Sequence, residues 1–507
     1  MRNNWQRRVS RIGKPLNSSL YQKLSMKLSR LVFLFFALSA GVVFSLAQAD
    51  TDKPNFVIIM CDDLGWGDVG FNGATHIRTP YLDEMAANGL KLTRFYAQAP
   101  VCSPTRASVV TGRHHDRTGV YTANQGHLRD EEYTLYEALK SKGYATGHFG
   151  KWHMGTLTTM VEEGNRGGPG GKENFSPPWS HEVDTTFATE AKTPTYDAMW
   201  KPVGGDAKSF TNASRQGWNF IPAKAQKESY GTHYWTGQDE MVDPKADELL
   251  GDDSKLIMDR ALEFISENQE NPFLAIVWFH APHLPVVASE EDANSYEDGK
   301  NSDFQKNYNG CVTALDRAVG NLRTQLREQG IAENTVITFC SDNGPEGKDG
   351  DPGLQGQFRG RKRSLYEGGV RVPSLIEWPA KIEPGSTSGM ATCTVDYFPT
   401  ILEIVGVEMP DDRPLDGVSL MPLIHGKMKK RPMPLGFHHK GQAAWHDGMM
   451  KAYRKGGGGS WKLYDLSSDP GETTDLAVKN PERLQSMVEA WTRWKASVDA
   501  SDSGADY

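Results

Sequence analysis

Three largely apolar runs stand out along the chain, at residues 55–60, 273–279 and 335–340, broken only by Asn55, Thr335 and Thr338. None alternates as a half-exposed strand would, so each predicts a strand buried on both faces. Elsewhere the apolar spacing becomes helical, over residues 81–88, 131–142, 255–267 and 312–328, with Gly89, Gly143 and Gly330 closing three of these segments. Buried strands alternating with helices predict an α/β fold in which a large, mostly parallel (mixed) sheet is sandwiched by helices. Residues 156–240 are rich in Gly, Pro, Trp, Thr and Lys and lack periodicity, which predicts long loops over the ligand-binding edge. Past a Pro, Gly and Asp cluster at 409–417 come strand-like pieces (446–451 and 461–464), a turn at 456–459 and an amphipathic helix from 481 to about 498. These predict a small C-terminal antiparallel sheet with one helix, as a second unit over residues 421–507 behind a main unit at 50–420.

Residues 1–49 read as a leader. The first 30 residues hold eight Lys/Arg and no acid, an apolar run of 16 residues follows (31–46), and Ala47-Gln48-Ala49 gives a small-x-small cleavage pattern. This is the layout of a secretory signal peptide, and the run is short of the ~20 residues a membrane span needs. An uncleaved anchor is the competing reading. Met26 would make a more ordinary start than Met1. The expectation is an exported protein, periplasmic or secreted, with no stable membrane insertion.

Removing the leader takes away eight positive charges, so the net charge of −8 becomes −16. Such a surface repels nucleic acid, which is not expected as a partner. An anionic substrate would have to be captured by a local basic cluster. The cysteine count is five (Cys61, Cys102, Cys311, Cys340 and Cys393), odd for an exported protein, which points to at least one thiol with a use other than pairing.

The chemistry-bearing residues follow the predicted strands. Residues 55–60 lead through Cys61 to Asp62-Asp63, residues 335–340 lead through Ser341 to Asp342-Asn343, and residues 273–279 lead to His280 and His283. Ligands bind beyond the carboxyl ends of parallel strands. If these strands are neighbours, three carboxylates and an amide oxygen converge into a hard oxygen site suited to Ca²⁺ or Mg²⁺ rather than Zn²⁺. One Asp-Asp pair alone would read as a cap or turn; two pairs at strand ends demand a cation, because like charges do not gather unaided. Cys102-Ser103-Pro104-Thr105-Arg106 places a cysteine at a predicted helix start, where backbone N–H groups favour an anion, with Gly112 ending the helix. Lys151 and His153 share a face of an extended segment, and Arg361-Lys362-Arg363 is a cationic cluster flanked by glycines.

At Cys102-x-Pro-x-Arg106 the sequence resembles the formylglycine-dependent sulfatases of the alkaline-phosphatase-like superfamily, whose maturation enzyme oxidises that cysteine to formylglycine (3-oxoalanine). Asp62-Asp63-Leu64-Gly65, residues 107–113, Gly150-Lys151-Trp152-His153, Pro282-His283-x-Pro285, Ser341-Asp342-Asn343-Gly344, Tyr366-Glu367 through Arg371, and the ending from Trp461 to Glu472 appear in the family's order. The resemblance spans residues 53–480 and implies the alkaline-phosphatase-like fold. It implies that Asp62, Asp63, Asp342, Asn343 and modified Cys102 bind Ca²⁺ (or Mg²⁺). It further implies that Arg106 holds the formylglycine hydrate, that Lys151 and Lys362 grip sulfate oxygens, and that His153 and His283 transfer protons. The implied reaction is hydrolysis of a sulfate ester by a hydroxyl of the hydrated aldehyde, the second hydroxyl then expelling sulfate. Export and long aromatic-bearing loops tilt the substrate toward a sulfated carbohydrate, with a small aryl sulfate as the other reading. The alternative on the same scaffold is a phosphodiesterase or phosphonate monoester hydrolase, to be separated by rates on matched sulfate and phosphate esters; a non-catalytic glycan-binding role conflicts with every catalytic position being filled. Trp179, His181, Trp200, His233, Tyr234 and Trp235 suit either a sugar pocket or loop core.

Overall fold

The computed structural model describes residues 53–163, 166–203, 216–222, 226–245 and 249–507. The leader expected at 1–49 lies outside the described residues, and residues 53–507 form one compact unit.

The three apolar runs become β1 (Asn55–Cys61), β7 (Phe273–Trp278) and β8 (Thr335–Ser341), every residue of them buried. In chain order the other elements of the main layer are α1 (Pro80–Asn88), β2 (Leu90–Leu92), α2 (Cys102–Thr111), α3 (Leu135–Lys140), β3 (Ala145–Lys151), β4 (Thr185–Thr189), β5 (Trp235–Gly237), β6 (Glu240–Met241), α4 (Asp253–Glu267), α5 (Asp303–Glu328), β9 (Ser374–Glu377) and β10 (Ser386–Ser388). The sheet has ten strands in the order β6-β5-β4-β3-β7-β1-β8-β9-β2-β10. The five central strands, β4 to β8 across β3, β7 and β1, are parallel, and antiparallel strands flank them on both sides.

Alternation along the buried strands divides the core in two. Val57, Ile59, Ala275, Val277, Ile337 and Phe339 face α1, α4 and α5. Phe56, Ile58, Met60, Leu274, Ile276 and Trp278 face α2 and α3. The two-fold side-chain period of a strand thus fills two hydrophobic layers from one apolar run.

The structure revises four boundaries. The helix expected over 131–142 is only α3, because the Thr134 hydroxyl and the Glu137 carboxylate form a capping box that starts it at Leu135. The helix expected from 312 begins at Asp303, capped by Ser302. Residues 446–451 are not one strand but straddle a hairpin in which His446 pairs Lys451 and Asp447 pairs Met450. Within 156–240, β4 and β5 extend the main sheet; β4 is Thr-Thr-Phe-Ala-Thr, too polar for a reading based on apolar runs, although its last four residues are buried.

The C-terminal layer consists of β11 (Leu435–His439), β12 (Gln442–Asp447), β13 (Met450–Arg454) and β14 (Lys462–Asp465), antiparallel and in sequence order, with α6 (Pro481–Asp502) packed on one face through Met487 and Trp491. All five cysteines are buried and none is in a disulfide.

Candidate active site

Because β1 and β8 are parallel neighbours with Cys61 opposite Ser341, their carboxyl ends deliver Asp62-Asp63 and Asp342-Asn343 side by side. The tips are locked together. The Asp342 N–H donates to the Cys61 carbonyl (3.0 Å), the Leu64 N–H to Ser341 Oγ (2.9 Å) and the Asp63 N–H to Asp342 Oδ1 (3.2 Å). All four site residues are essentially excluded from solvent. The third element is α2. Its first residue is Cys102, and Gly112 closes it in the left-handed region. Cys102 Sγ and one oxygen each of Asp62 and Asp342 lie within 4.8 Å of one another. The residues that sequence spacing singled out therefore share one pocket.

Three cations complete it. Lys151 Nζ lies 2.5 Å from Asp62 Oδ2, Lys362 Nζ lies 2.6 Å from Asp63 Oδ1, and Arg106 Nη2 lies 2.8 Å from Asp342 Oδ2 and 3.5 Å from Asp62 Oδ2. Arg106 Nη1 also donates to the Lys151 carbonyl (3.0 Å), which fixes the end of β3. Lys151 can stand here because β3 approaches β7 closely: at Gly150 (φ +99°) an added Cβ would lie 2.0 Å from the Trp278 carbonyl oxygen.

Three carboxylates balance three cations, yet several oxygens have no partner. Asp62 Oδ1, Asp63 Oδ2 and Asn343 Oδ1 are buried and make no hydrogen bond. Orphaned buried acceptors are costly, and an all-oxygen donor set matches a hard divalent cation. The residues present thus fit the cation that the sequence implies. Once it is added, the pocket carries an excess of two positive charges and becomes an anion trap.

The electrostatics agree. Burial would raise the Asp62 carboxyl, but Lys151, His283, Arg106 and Lys362 hold it well below its ordinary range. Burial raises Asp63 despite Lys362, and burial with the Asp62 charge pushes Asp342 up to about 7. Burial also raises the Cys102 thiol against Lys151 and Lys362. An unmodified Cys102 is therefore a neutral thiol, poorly suited to attack on its own account.

Two histidines flank the pocket. His153 (φ +57°) follows the end of β3, and its Nε2 lies 2.7 Å from Asn124 Oδ1 while Nδ1 is buried without a partner. Burial and then Lys151 keep it neutral, with a value well below the ordinary one. With Nε2–H donating to Asn124, Nδ1 is the bare nitrogen. His283 Nδ1 lies 2.6 Å from the Leu284 carbonyl and Nε2 lies 3.6 Å from Asp63 Oδ2; burial, with Lys362 and Lys151, lowers its proton affinity well below the ordinary value.

These groups open into a cavity of about 1060 Å³, lined among others by Cys102, Lys151, His153, His283 and Lys362. Tyr230 of the loop segment lines it too, whereas Trp179, His181, Trp200, His233, Tyr234 and Trp235 are not among the lining residues. Tyr234 and Trp235 are buried, bonded to Asp253 and Glu163, and His181 is buried against Ser176, so they serve the core. Sequence reasoning missed Asn124, Lys192, Glu346, His439 and Lys440, which also line the cavity. Only position in space marks them; His439 ends β11 and the other four are ordinary polar residues of turns or loops.

The chain matches the family described as Sulfatase over residues 54–407 and that described as N-sulphoglucosamine sulphohydrolase, C-terminal, over 355–493. It is 31% identical to arylsulfatase A of Homo sapiens, covering 92% of this chain and 91% of that one. It is 30% identical to N-acetylgalactosamine-6-sulfatase of Mus musculus, covering 84% and 77%. Among solved structures it resembles Ps i-CgsB in complex with k-i-k-neocarrahexaose, with 26% identity, a TM-score of 0.70, and 88% of this chain and 93% of that one covered.

Proposed function

The chain belongs to the sulfatase family and is a sulfuric ester hydrolase; on that premise we propose that it hydrolyses sulfate esters of a carbohydrate, with Cys102 converted to formylglycine and Asp62, Asp63, Asp342 and Asn343 holding Ca²⁺. Bound together, the cation and the hydrated aldehyde supply a positively charged centre and an oxygen nucleophile. The observation that carries this reading is that Cys102 Sγ sits within 4.8 Å of Asp62 and Asp342, in a pocket where three acceptor oxygens lack partners.

The remaining steps belong to the chain's own side chains. Lys151 and Lys362 hold the sulfuryl oxygens once the cation takes over neutralising Asp62 and Asp63, and they compensate charge as it develops. Arg106 holds Asp342 and the end of β3 in register. His283 is neutral in the free site, and the incoming anion raises its proton affinity, so it gains the proton that it passes to the leaving alkoxide oxygen. His153, with Nδ1 bare, takes the proton at position 102 that lets sulfate depart. The carbohydrate assignment is supported by the size of the cavity and by relatives whose names specify sulfated sugars. The leader at 1–49, export to the periplasm or beyond, and the division into a catalytic unit (50–420) and a C-terminal unit (421–507) belong to the same reading, as does dependence on a maturation enzyme.

The test is turnover of matched sulfate and phosphate esters of sugars by chain co-expressed with a formylglycine-generating enzyme. Sulfate hydrolysis that requires Cys102 and calcium is expected. Faster hydrolysis of the phosphate esters, or activity with the Cys102 sulfur retained, would overturn the proposal.

A further inference from the structure

The C-terminal sheet reaches the active-site cavity at one point, the tip of the β11–β12 hairpin, where His439 pairs Gln442 and the loop between them is Lys440-Gly441. Both loop residues have positive φ (+47° and +80°), the pattern of a type I′ turn. Asn, Asp or Gly usually occupies such positions; a lysine there is strained, and an observed strain of this kind is a pointer to function.

The tip is pinned to the catalytic machinery on two sides. The Gln442 side chain accepts from the Leu365 N–H (3.1 Å) and donates to the Arg363 carbonyl (2.8 Å), clamping the hairpin to the segment that carries Lys362. On the other side His438 Nδ1 lies 2.8 Å from Asp116 Oδ2, and His115 Nε2 lies 3.2 Å from the His438 carbonyl, tying the hairpin to the chain just beyond α2, the helix that begins at Cys102. Lys440 is thus held on a rigid element referenced to both the nucleophile position and a sulfate-gripping lysine.

Its charge is available. Lys440 is exposed, lines the cavity, and makes no ion pair among the described residues, whereas Arg363 beside it is paired with Glu346 (2.6 Å). The adjoining wall residue His439 is 2% exposed and its Nδ1 has no hydrogen-bond partner. Lys192 adds a further exposed cation to the lining, and its charge reaches His283. On the sulfatase reading one sulfate occupies the pocket floor between Lys151 and Lys362, and the cavity, much larger than a sulfate group, has a further cation in its lining.

We propose that Lys440 is a specificity residue that binds a second anionic group of the substrate, a sulfate or a carboxylate, so that the preferred substrate is a multiply charged saccharide. The inference rests on the carbohydrate sulfatase reading above. The decisive variant is Lys440→Asn, which removes the charge while suiting the left-handed turn better than lysine does, so that folding is not at risk.

Calorimetric titration in a Cys102→Ala background, where nothing is turned over, compares three probes: a disaccharide with one sulfate, one with two sulfates, and one with a sulfate and a uronate carboxylate. The expected result is that at least one doubly charged probe binds more tightly than the singly sulfated one. Lys440→Asn then cuts that advantage about fivefold, the range of a part-exposed charge pair, and the probe affected identifies the group. No preference before substitution, or equal weakening of all three probes after it, overturns the proposal. Hydrolysis of an aryl sulfate by the unaltered chain reports separately on the reading beneath it.

Discussion

On the proposed reading Arg106 and a bound divalent cation would do overlapping work, since both would neutralise the buried pair Asp62 and Asp342, and Arg106→Met separates them. In the metal-free chain this substitution leaves Asp342 without its partner at 2.8 Å and Asp62 without one of its two. Breaking a buried ion pair from one side costs about 3–5 kcal/mol. Unfolding entropy of about 2.1 cal/mol/K per residue, summed over residues 53–507, is close to ~1 kcal/mol/K, so the loss corresponds to a melting temperature lower by about 3–5 °C. With saturating calcium the cation supplies the missing charge, and the residual cost is chiefly the hydrogen bond to the Lys151 carbonyl, about 1 kcal/mol or ~1 °C. The chelated loss should also shrink from pH 8 to pH 6. Asp342 already titrates at about 7 with Arg106 present, so without the arginine it escapes by protonating. Differential scanning calorimetry of both chains, in chelator and in calcium at the two pH values, measures all four numbers. An equal loss with and without calcium would refute the shared-neutralisation argument and the metal site with it.

Cys102→Ala should abolish turnover while leaving the melting temperature within about 1 °C, and mass spectrometry of the active chain should find no sulfur at position 102; activity in the alanine variant would end the nucleophile assignment. Chelation should remove activity, and calcium should restore it more fully than zinc, because the donors are oxygens. Gly150→Ala forces a Cβ against the Trp278 carbonyl and displaces Lys151, so turnover should fall on the order of 10²-fold; normal kinetics would show that β3 and β7 can part without cost. His148 is buried between Trp152 and Trp278 and bonded to the Tyr136 hydroxyl, and burial, with Arg106, lowers it to about 3. Its folded value is depressed below the unfolded 6.5, so its stabilising contribution is complete above pH 6.5 and is lost as pH falls toward 3. His148→Phe should therefore lose up to ~3 kcal/mol less stability than the parent between pH 6.5 and pH 4, read by denaturant midpoints; parallel curves would contradict this.

The sequence alone determined the elements that depend on local pattern. A run such as residues 56–60, apolar at every position, can be satisfied only between two covered faces, and the structure divides it between two cores. Acids placed directly after two such runs had to meet if the runs were neighbours, so Asp62, Asp63, Asp342 and Asn343 were legible, as was Cys102 at the start of α2. β4 was not legible, because three of its five residues are threonines and burial came from neighbouring strands rather than from its own composition. Nor was the partner of each cation: that Lys151 faces Asp62 and Lys362 faces Asp63 follows from strand register and from a loop 299 residues downstream of Asp63. The rim of the cavity was beyond any one-dimensional reading. Asn124, Lys192 and Lys440 sit on separate turns and loops whose convergence is set by long-range contacts such as the Gln442 clamp and the Asp116–His438 bond. Hydrophobic periodicity is written locally because burial acts on each residue through its own element. The charges that select a substrate act through space, and only the folded chain fixes which of them face one another.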